Sequence, residues 1–132
     1  MREPRWLQED ELLAIHARQI ERFGGSHGLL DRNVVLSALA RPQQRFAYDG
    51  GADLADLAAS YLVGFARAQG FADGNKRTGL AAALVFLALN GFDLHVPPEE
   101  LLVLTMDVAI GRKEDVEVAA ALRGWGVVAP GE

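Results

Sequence analysis

Hydrophobic residues recur along the chain at intervals of three and four, and this period predicts helices rather than strands. The clearest stripe follows Asp53 and consists of Leu54, Leu57, Ala58, Tyr61, Leu62 and Phe65. A helix with such a stripe buries one face against its neighbours. Asp53 suits the N-cap position because its carboxylate accepts hydrogen bonds from free backbone N–H groups. We therefore predict a helix that begins at Asp53 and ends at about Ala68.

Five further helices are predicted from the same period and from start and stop signals. Their expected bounds are Glu9 to Phe23, Asp31 (as N-cap) to just before Pro42, Asn75 (as N-cap) to Asn90, Pro97 to Gly111, and Glu114 to Arg123. The segments Gln43 to Ala52 and Phe92 to Val96 are predicted as loops. The helix from Asn75 to Asn90 is apolar on nearly every side, which predicts a position at the centre. We expect an all-α fold, a compact six-helix bundle with a buried central helix.

The amino-acid composition argues against several classes of protein but does not identify a single class. The chain has 132 residues, half of them hydrophobic, and we expect a single domain over residues 1–132. A net charge of −5 argues against general nucleic-acid binding. Cysteine is absent, the N-terminus lacks the apolar run of a signal peptide, and no apolar run is long enough to span a bilayer. We expect a cytoplasmic protein.

One turn between two predicted helices, AQGFADGNKRTG (residues 68–79), contains a carboxylate, an asparagine and two cations. Lys76 and Arg77 fall in the first turn of a helix, where the helix dipole disfavours cations. An anion reverses that penalty, because free N–H groups, the dipole and two cations together form a phosphate pocket. The spacing differs from that of a P-loop, and no strand precedes it.

Asp73 in the same turn would face a bound phosphate. A carboxylate beside phosphate is repulsive unless a metal lies between them, and Mg²⁺ commonly bridges the two. The alternative interpretation is an inert loop in which Asp73 forms a salt bridge with Lys76 or Arg77. The residues alone leave both interpretations open.

At these residues the chain resembles the Fic/Doc family, most closely its death-on-curing (Doc) branch. The family motif is H-x-F-x-x-[GA]-N-K-R, and Phe71 and the run from Asp73 to Thr78 match it in order. The similarity extends over nearly the whole chain, through the segments ELLAIHARQIERFGGSHGLLD, AYDGG, SYLVGFARA and ALVFLALNG.

The resemblance implies a six-helix Fic-type fold that uses ATP and Mg²⁺. It implies that Asp73 holds Mg²⁺, and that phosphates are bound by Arg67, Gly74 (through its backbone), Asn75, Lys76 and Arg77. The Doc branch transfers a γ-phosphate to a threonine of elongation factor Tu, which stops translation, whereas other members transfer an adenylyl group. Lys76 favours phosphate transfer, because other Fic proteins have a second glycine there. An antitoxin whose C-terminal helix covers the active-site groove is the expected partner.

Two further positions bear on the resemblance. Where the Doc branch tends to carry an asparagine near the nucleotide, one turn past the motif, this chain has Ala81 or Ala82. The loop Gln43 to Gly51 has two interpretations. It corresponds to the family's flap that positions the target protein, with Arg45 and Tyr48 as contact residues, or it is an ordinary solvent-exposed loop.

The motif departs from the family at its first residue, where Gln69 replaces the histidine that acts as general base. A carboxamide cannot take a proton from a hydroxyl near pH 7, although it can orient one. Gln69 is therefore an engineered substitution, the mark of a natural pseudoenzyme, or a sign that another base acts. His16 is predicted as a hydrogen-bonded core residue, and His27 and His95 as loop residues.

Overall fold

The fold is helical, as the hydrophobic period predicts. A computed structural model describes residues 2–127. Its six helices are α1 (Glu9–Phe23), α2 (Arg32–Tyr48), α3 (Leu54–Arg67), α4 (Asn75–Leu89), α5 (Pro98–Ala109) and α6 (Asp115–Gly124). Within this range the only extended pairing is an isolated bridge between Leu29 and Phe71. None of the helices described is both long and apolar enough to cross a membrane.

Two aspartates start helices as the sequence predicts. The Asp31 carboxylate accepts a hydrogen bond from the Asn33 N–H at 2.9 Å, at the start of α2. The Asp53 carboxylate accepts one from the Asp56 N–H at 2.9 Å, and the Asp56 carboxylate accepts one from the Asp53 N–H in return. Each aspartate satisfies backbone donors that the helix leaves without a partner.

The predicted end of α2 before Pro42 is wrong, because the helix continues through Pro42 to Tyr48. Proline has no N–H, so the carbonyl of Ala38 lacks the hydrogen bond that it would otherwise accept within the helix. Pro42 and Ala38 are both buried in the core, and this packing offsets the lost bond. The predicted loop Gln43 to Ala52 therefore shortens to the few residues between α2 and α3.

A buried helix does occupy the centre of the bundle, but it is α3 rather than α4. Eleven of the 14 residues of α3 are buried, against six of 15 in α4. Helix α3 contacts α2, α4, α5 and α6, whereas α4 contacts α1, α3 and α5. The prediction failed because several apolar residues of α4, such as Leu84, Val85 and Ala88, remain partly exposed.

Helices α3 and α4 approach closely at Gly79 of α4. A Cβ at this position would lie 2.9 Å from the backbone oxygen of Leu62 and 3.0 Å from the backbone nitrogen of Ala66. Only glycine therefore fits between α4 and α3 at this crossing. The crossing sets the distance between the end of α3 and the start of α4, the two ends that carry the polar turn.

Candidate functional site

The polar turn is held against the loop that follows α1. The Leu30 N–H donates to the Gly70 carbonyl at 2.8 Å, and the Ala72 N–H donates to the Gly28 carbonyl at 3.0 Å. Gly70 lies close to this loop and α2, since a Cβ there would be 2.6 Å from Cγ2 of Val35. The turn thus has a fixed backbone although most of its side chains face solvent.

The expected N-cap of α4 is displaced by one residue. Gly74 is the N-cap, with a left-handed φ of +80°, and Asn75 is the first residue of the helix. The Asn75 side chain turns back on the loop instead, accepting from the Phe71 N–H at 3.1 Å and donating to the Phe71 carbonyl at 3.0 Å. These two bonds close the turn from Phe71 to Asn75 into a ring.

A histidine from α1 supports the turn from beneath. The ring of His16 stacks on that of Phe71, with 3.8 Å between the centroids and 8° between the planes. Its Nε2 lies 2.8 Å from the backbone oxygen of Asp73. Because a carbonyl only accepts, Nε2 must carry the proton and donate it. The prediction of a hydrogen-bonded core histidine is confirmed, and Phe71 is buried as expected.

The Asp73 carboxylate is hydrogen-bonded to the loop that follows α1. One oxygen, Oδ2, accepts a hydrogen bond from the Ser26 N–H at 2.7 Å. Across residues 2–127 Asp73 belongs to no ion pair, so the salt bridge to Lys76 or Arg77 that would define an inert loop is not formed. The second carboxylate oxygen is left for another ligand.

The first turn of α4 offers donors and positive charge together. The first N–H to bond within the helix is that of Thr78, which donates to the Gly74 carbonyl at 2.9 Å. The three amides before it, those of Asn75, Lys76 and Arg77, precede the repeating helical pattern and point out of the N-terminus. Lys76 and Arg77 are exposed, and neither is ion-paired in the described part of the chain.

An aromatic ring lies beside this cationic turn. The guanidinium of Arg77 lies 4.9 Å from the centroid of the half-exposed Phe23 ring, and that of Arg22 lies 5.5 Å from it. The ring face attracts a cation without neutralising its charge. Arg77 is therefore held near the turn with its charge still available to an anion.

The donor set fits Mg²⁺ with a phosphate ligand, and does not fit a metal held by protein alone. Among residues 2–127 no three His, Asp, Glu or Cys side chains converge as metal ligands. Magnesium prefers oxygen ligands and is commonly held by one or two carboxylates together with substrate phosphates. The second Asp73 oxygen, beside the cationic first turn of α4, would meet that requirement.

The guanidinium of Arg67 is engaged by residues of α5 and the start of α6. It donates to Glu114 at 2.9 Å and to the carbonyls of Val108 and Lys113, in the region between α5 and α6. This pairing lowers the pKa of Glu114 and raises that of Arg67. The interaction joins residues 47 positions apart, and no local sequence signal indicated it.

Gln69 is exposed, at the start of the turn and beside a groove between α2 and α3. The groove has a volume of about 700 Å³ and is lined by Asn33, Ser37, Arg41, Gln44, Arg67 and Ala68, among others.

Two residues were assigned to a target-binding flap. The guanidinium of Arg45 lies 3.5 Å from the carboxylate of Asp49 and 3.7 Å from that of Asp56. Tyr48 ends α2 with 89% of its surface exposed.

A six-helix bundle with a polar, cation-bearing turn between α3 and α4 is the arrangement that the resemblance to Fic-type proteins implied. Residues 6–87, more than half of the chain, match the family model described as the Fic/DOC family. The chain belongs to the Fic/Doc family.

Two relatives give the comparison more detail. The chain is 40% identical over 119 residues to the "Protein kinase doc" of Escherichia phage P1, covering 90% of this chain and 94% of that protein. It is 36% identical over 102 residues to the "Toxin Doc" of Mycolicibacterium smegmatis, covering 76% of this chain and 71% of that protein.

Proposed function

We propose that the chain is a Doc-type toxin of a toxin–antitoxin system, a protein phosphotransferase that uses ATP and Mg²⁺. The target hydroxyl, a threonine of elongation factor Tu, attacks the γ-phosphorus of ATP. A new O–P bond forms as the bond to the β,γ-bridging oxygen breaks, and ADP leaves. The proton of the hydroxyl passes to a base. Phosphorylated elongation factor Tu would no longer support translation.

The observation that carries this proposal is the turn at the start of α4. Three outward-facing amides, the exposed cations Lys76 and Arg77, and the free oxygen of Asp73 lie within five consecutive residues. Amides and cations would bind the phosphate oxygens, and Asp73 would hold Mg²⁺, which would offset the negative charge of the phosphates. Phosphoryl transfer relies mainly on such positioning and charge stabilisation. Gly74 contributes its left-handed backbone, and Asn75 holds the ring closed.

Phosphate transfer is preferred over adenylyl transfer for two reasons. Lys76 occupies the position where the adenylylating members that the chain resembles have glycine. A relative that shares 40% of its residues over nearly its full length carries the name of a protein kinase. Arg67 is not included among the phosphate ligands, because Glu114 engages its guanidinium.

Gln69 occupies the place of the general base and would not accept the proton. It would still hydrogen-bond the target hydroxyl and orient it. The loss of a general base lowers a rate by about 10²–10⁴-fold. We therefore expect this form to bind Mg²⁺ and nucleotide but to transfer phosphate slowly.

The antitoxin partner would bind the groove between α2 and α3. This groove begins beside Gln69 and is lined by polar residues such as Ser37 and Arg41 and by apolar ones such as Val34 and Val63. A helix laid there would cover the approach of the target hydroxyl to the turn. Tyr48 and the end of α2 remain the proposed contact with the target protein.

The test uses this chain and its Gln69→His variant, each incubated with Mg²⁺, ATP and elongation factor Tu. ATP labelled at the γ-phosphate should label the target, and the histidine variant should do so about 10²–10⁴-fold faster. Label from the α-phosphate instead would show adenylylation. No transfer from either position by the histidine variant would contradict the enzyme assignment.

The control is Asp73→Asn in the Gln69→His background, which removes the charge that holds Mg²⁺ and keeps the shape. It should abolish most of the transfer. Equal transfer by the glutamine and histidine forms would contradict the role given to position 69. Nucleotide binding without any gain on restoring histidine would instead support a non-catalytic binding module, the alternative that Gln69 favours.

A further inference from the structure

The peptide group between Asp73 and Gly74 has a hydrogen-bond partner on one side only. Its carbonyl oxygen accepts a hydrogen bond from Nε2 of His16, which is buried beneath the turn. The N–H of the same group, that of Gly74, has no acceptor among residues 2–127. The peptide bonds in this range are trans, so the carbonyl and the N–H point in opposite directions. The Gly74 N–H therefore points away from His16.

The backbone at Gly74 and Asn75 directs this N–H toward those of the helix start. Gly74 is left-handed, with a φ of +80° and a ψ of 16°, and Asn75 is the first right-handed residue of α4. Successive residues of opposite handedness direct their N–H groups into one concavity that suits an anion. The Gly74 amide therefore joins the amides of Asn75 and Lys76 at the proposed phosphate site.

The local backbone does not fix this orientation by itself. Rotating the peptide plane by half a turn changes mainly ψ of Asp73 and φ of Gly74, and glycine adopts either sign of φ readily. The neighbouring groups are anchored elsewhere, since the Ser26 N–H donates to the Asp73 carboxylate and the Thr78 N–H donates to the Gly74 carbonyl. A rotated plane would present a carbonyl oxygen, instead of an N–H, to an incoming phosphate.

His16 is itself held in the position from which it selects the outward N–H. Its ring stacks on that of Phe71 at 3.8 Å, and the backbone of Phe71 is fixed by Asn75. Gly74 lies directly against the imidazole, since a Cβ there would be 3.7 Å from Cδ2 and Nε2 of His16. Of the side chains described, His16 alone forms a hydrogen bond with the Asp73–Gly74 peptide group.

We propose that His16 is a positioning residue for phosphate binding, because its Nε2–H holds the Asp73–Gly74 peptide plane so that the Gly74 N–H donates to a phosphate oxygen. The proposal rests on the proposed function and extends it to α1, a helix outside the motif. His16 does not touch the phosphate. Its effect on the affinity for phosphate passes through this one peptide plane.

The first test needs no substitution and uses inorganic tripolyphosphate without Mg²⁺ as the probe. In amide NMR spectra of the parent chain, the Gly74 signal should shift as tripolyphosphate is added. It should saturate at the same concentration as the signals of Asn75 and Lys76. Shifts at Asn75 and Lys76 without one at Gly74 would overturn the role of His16 and leave the phosphate site standing. No shift at any of these amides would contradict the phosphate site itself, and this proposal with it.

The second test separates the hydrogen bond of His16 from its stack. His16→Phe keeps an aromatic ring on Phe71 but cannot donate to the Asp73 carbonyl. Its dissociation constant for tripolyphosphate, measured by calorimetry, should rise about tenfold to a hundredfold, because a hydrogen bond to a charged group is lost. The Gly74 signal should no longer shift with those of Asn75 and Lys76. An unchanged dissociation constant would overturn the proposal while the phosphate site stands.

His16→Gln is the conservative replacement that should rescue binding. The carboxamide nitrogen of glutamine can take the place of imidazole Nε2 and donate to the Asp73 carbonyl, although the stack on Phe71 is lost. The affinity of this variant for tripolyphosphate should therefore stay close to that of the parent chain. An equal loss of affinity in the phenylalanine and glutamine variants would assign the effect to general packing and would overturn the proposal.

Val118→Ala is the control for stability alone. Val118 is fully buried in α6, which contributes no residue to the turn, and its truncation destabilises the fold by leaving a cavity. The affinity of Val118→Ala for tripolyphosphate should match that of the parent chain. An affinity that fell in Val118→Ala as far as in His16→Phe would show that binding follows stability, and the positioning role of His16 would be overturned.

Discussion

His16 shows how much the turn depends on a residue outside the motif. Its imidazole supports the ring of Phe71 and donates a hydrogen bond to the backbone carbonyl of Asp73, the residue proposed to hold Mg²⁺. The apolar stripe of α1 was enough to predict burial for His16. The carbonyl that it meets lies 57 positions away, and no local pattern could indicate it.

Replacing His16 by phenylalanine should separate these two roles. Phenylalanine keeps an aromatic ring for the stack on Phe71 but cannot donate to the Asp73 carbonyl. Loss of one hydrogen bond should lower the free energy of unfolding by about 0.5–1.5 kcal/mol, measured by urea denaturation.

The matched control is His95→Phe, since the His95 side chain is 85% exposed. It should leave the unfolding free energy within about 0.5 kcal/mol of the parent chain. Equal stability of the parent chain and His16→Phe would show that the hydrogen bond contributes nothing to the fold.

At the scale of helices, local sequence signals predicted where most helices begin and end. They did not predict the features that depend on tertiary packing. Asp31 and Asp53 were recognised as N-caps because a cap is formed by neighbours in sequence. Pro42 inside α2 and the central position of α3 were missed, because both depend on burial against distant residues. The pairing of Arg67 with Glu114 was missed for the same reason, since Glu114 belongs to another part of the bundle.

Gly79 of α4 and Gly64 of α3 should respond in opposite ways to substitution by alanine. At Gly79 a Cβ would meet backbone atoms of α3 at 2.9 and 3.0 Å, and backbone cannot move aside without parting the helices. Gly79→Ala should therefore destabilise the fold by about 1–3 kcal/mol.

Gly64 of α3 provides the comparison. A Cβ there would first meet the side chain of Arg41 at 3.5 Å, which is ordinary contact. Gly64→Ala should gain about 0.5–1 kcal/mol, because alanine loses less backbone entropy than glycine in a helix. Thermal unfolding of both variants checks the pair. A stability change of the same sign in both variants would contradict the close crossing of α3 and α4 at Gly79.

For the molecule as a whole, the core contains a group that should make stability depend on alkaline pH. Burial raises the pKa of Tyr61 from its ordinary value of 10 to about 12. Its oxygen accepts a hydrogen bond from the Leu7 N–H at 3.2 Å, which ties the N-terminal segment to α3. The fold thus favours the neutral phenol.

The direction of the pH effect on stability follows from the raised pKa of Tyr61. The contribution of neutral Tyr61 is fully present below pH 10 and is lost as the pH rises from 10 to about 12. The loss should be on the order of 2 kcal/mol, allowing for partial solvent screening. Urea unfolding across this range should show the decline in the parent chain and a smaller decline in Tyr61→Phe.

Tyr48→Phe is the control for this measurement, because Tyr48 is 89% exposed. It should retain the parent's decline between pH 10 and 12. An unchanged decline in Tyr61→Phe would assign the alkaline loss of stability to lysine or other groups instead.

The ring that Asn75 closes on Phe71 has a consequence for the thermodynamics of ligand binding. The backbone of the turn is already closed by hydrogen bonds, so a phosphate that bound there would not have to order a flexible segment first. The conformational entropy of those residues was lost when the chain folded, and association need not lose it again. Asn75→Ala would remove the two hydrogen bonds that close this ring. The residues of the turn would then lose their conformational entropy when phosphate binds rather than when the chain folds. A weaker affinity with a more unfavourable binding entropy would then be the calorimetric signature.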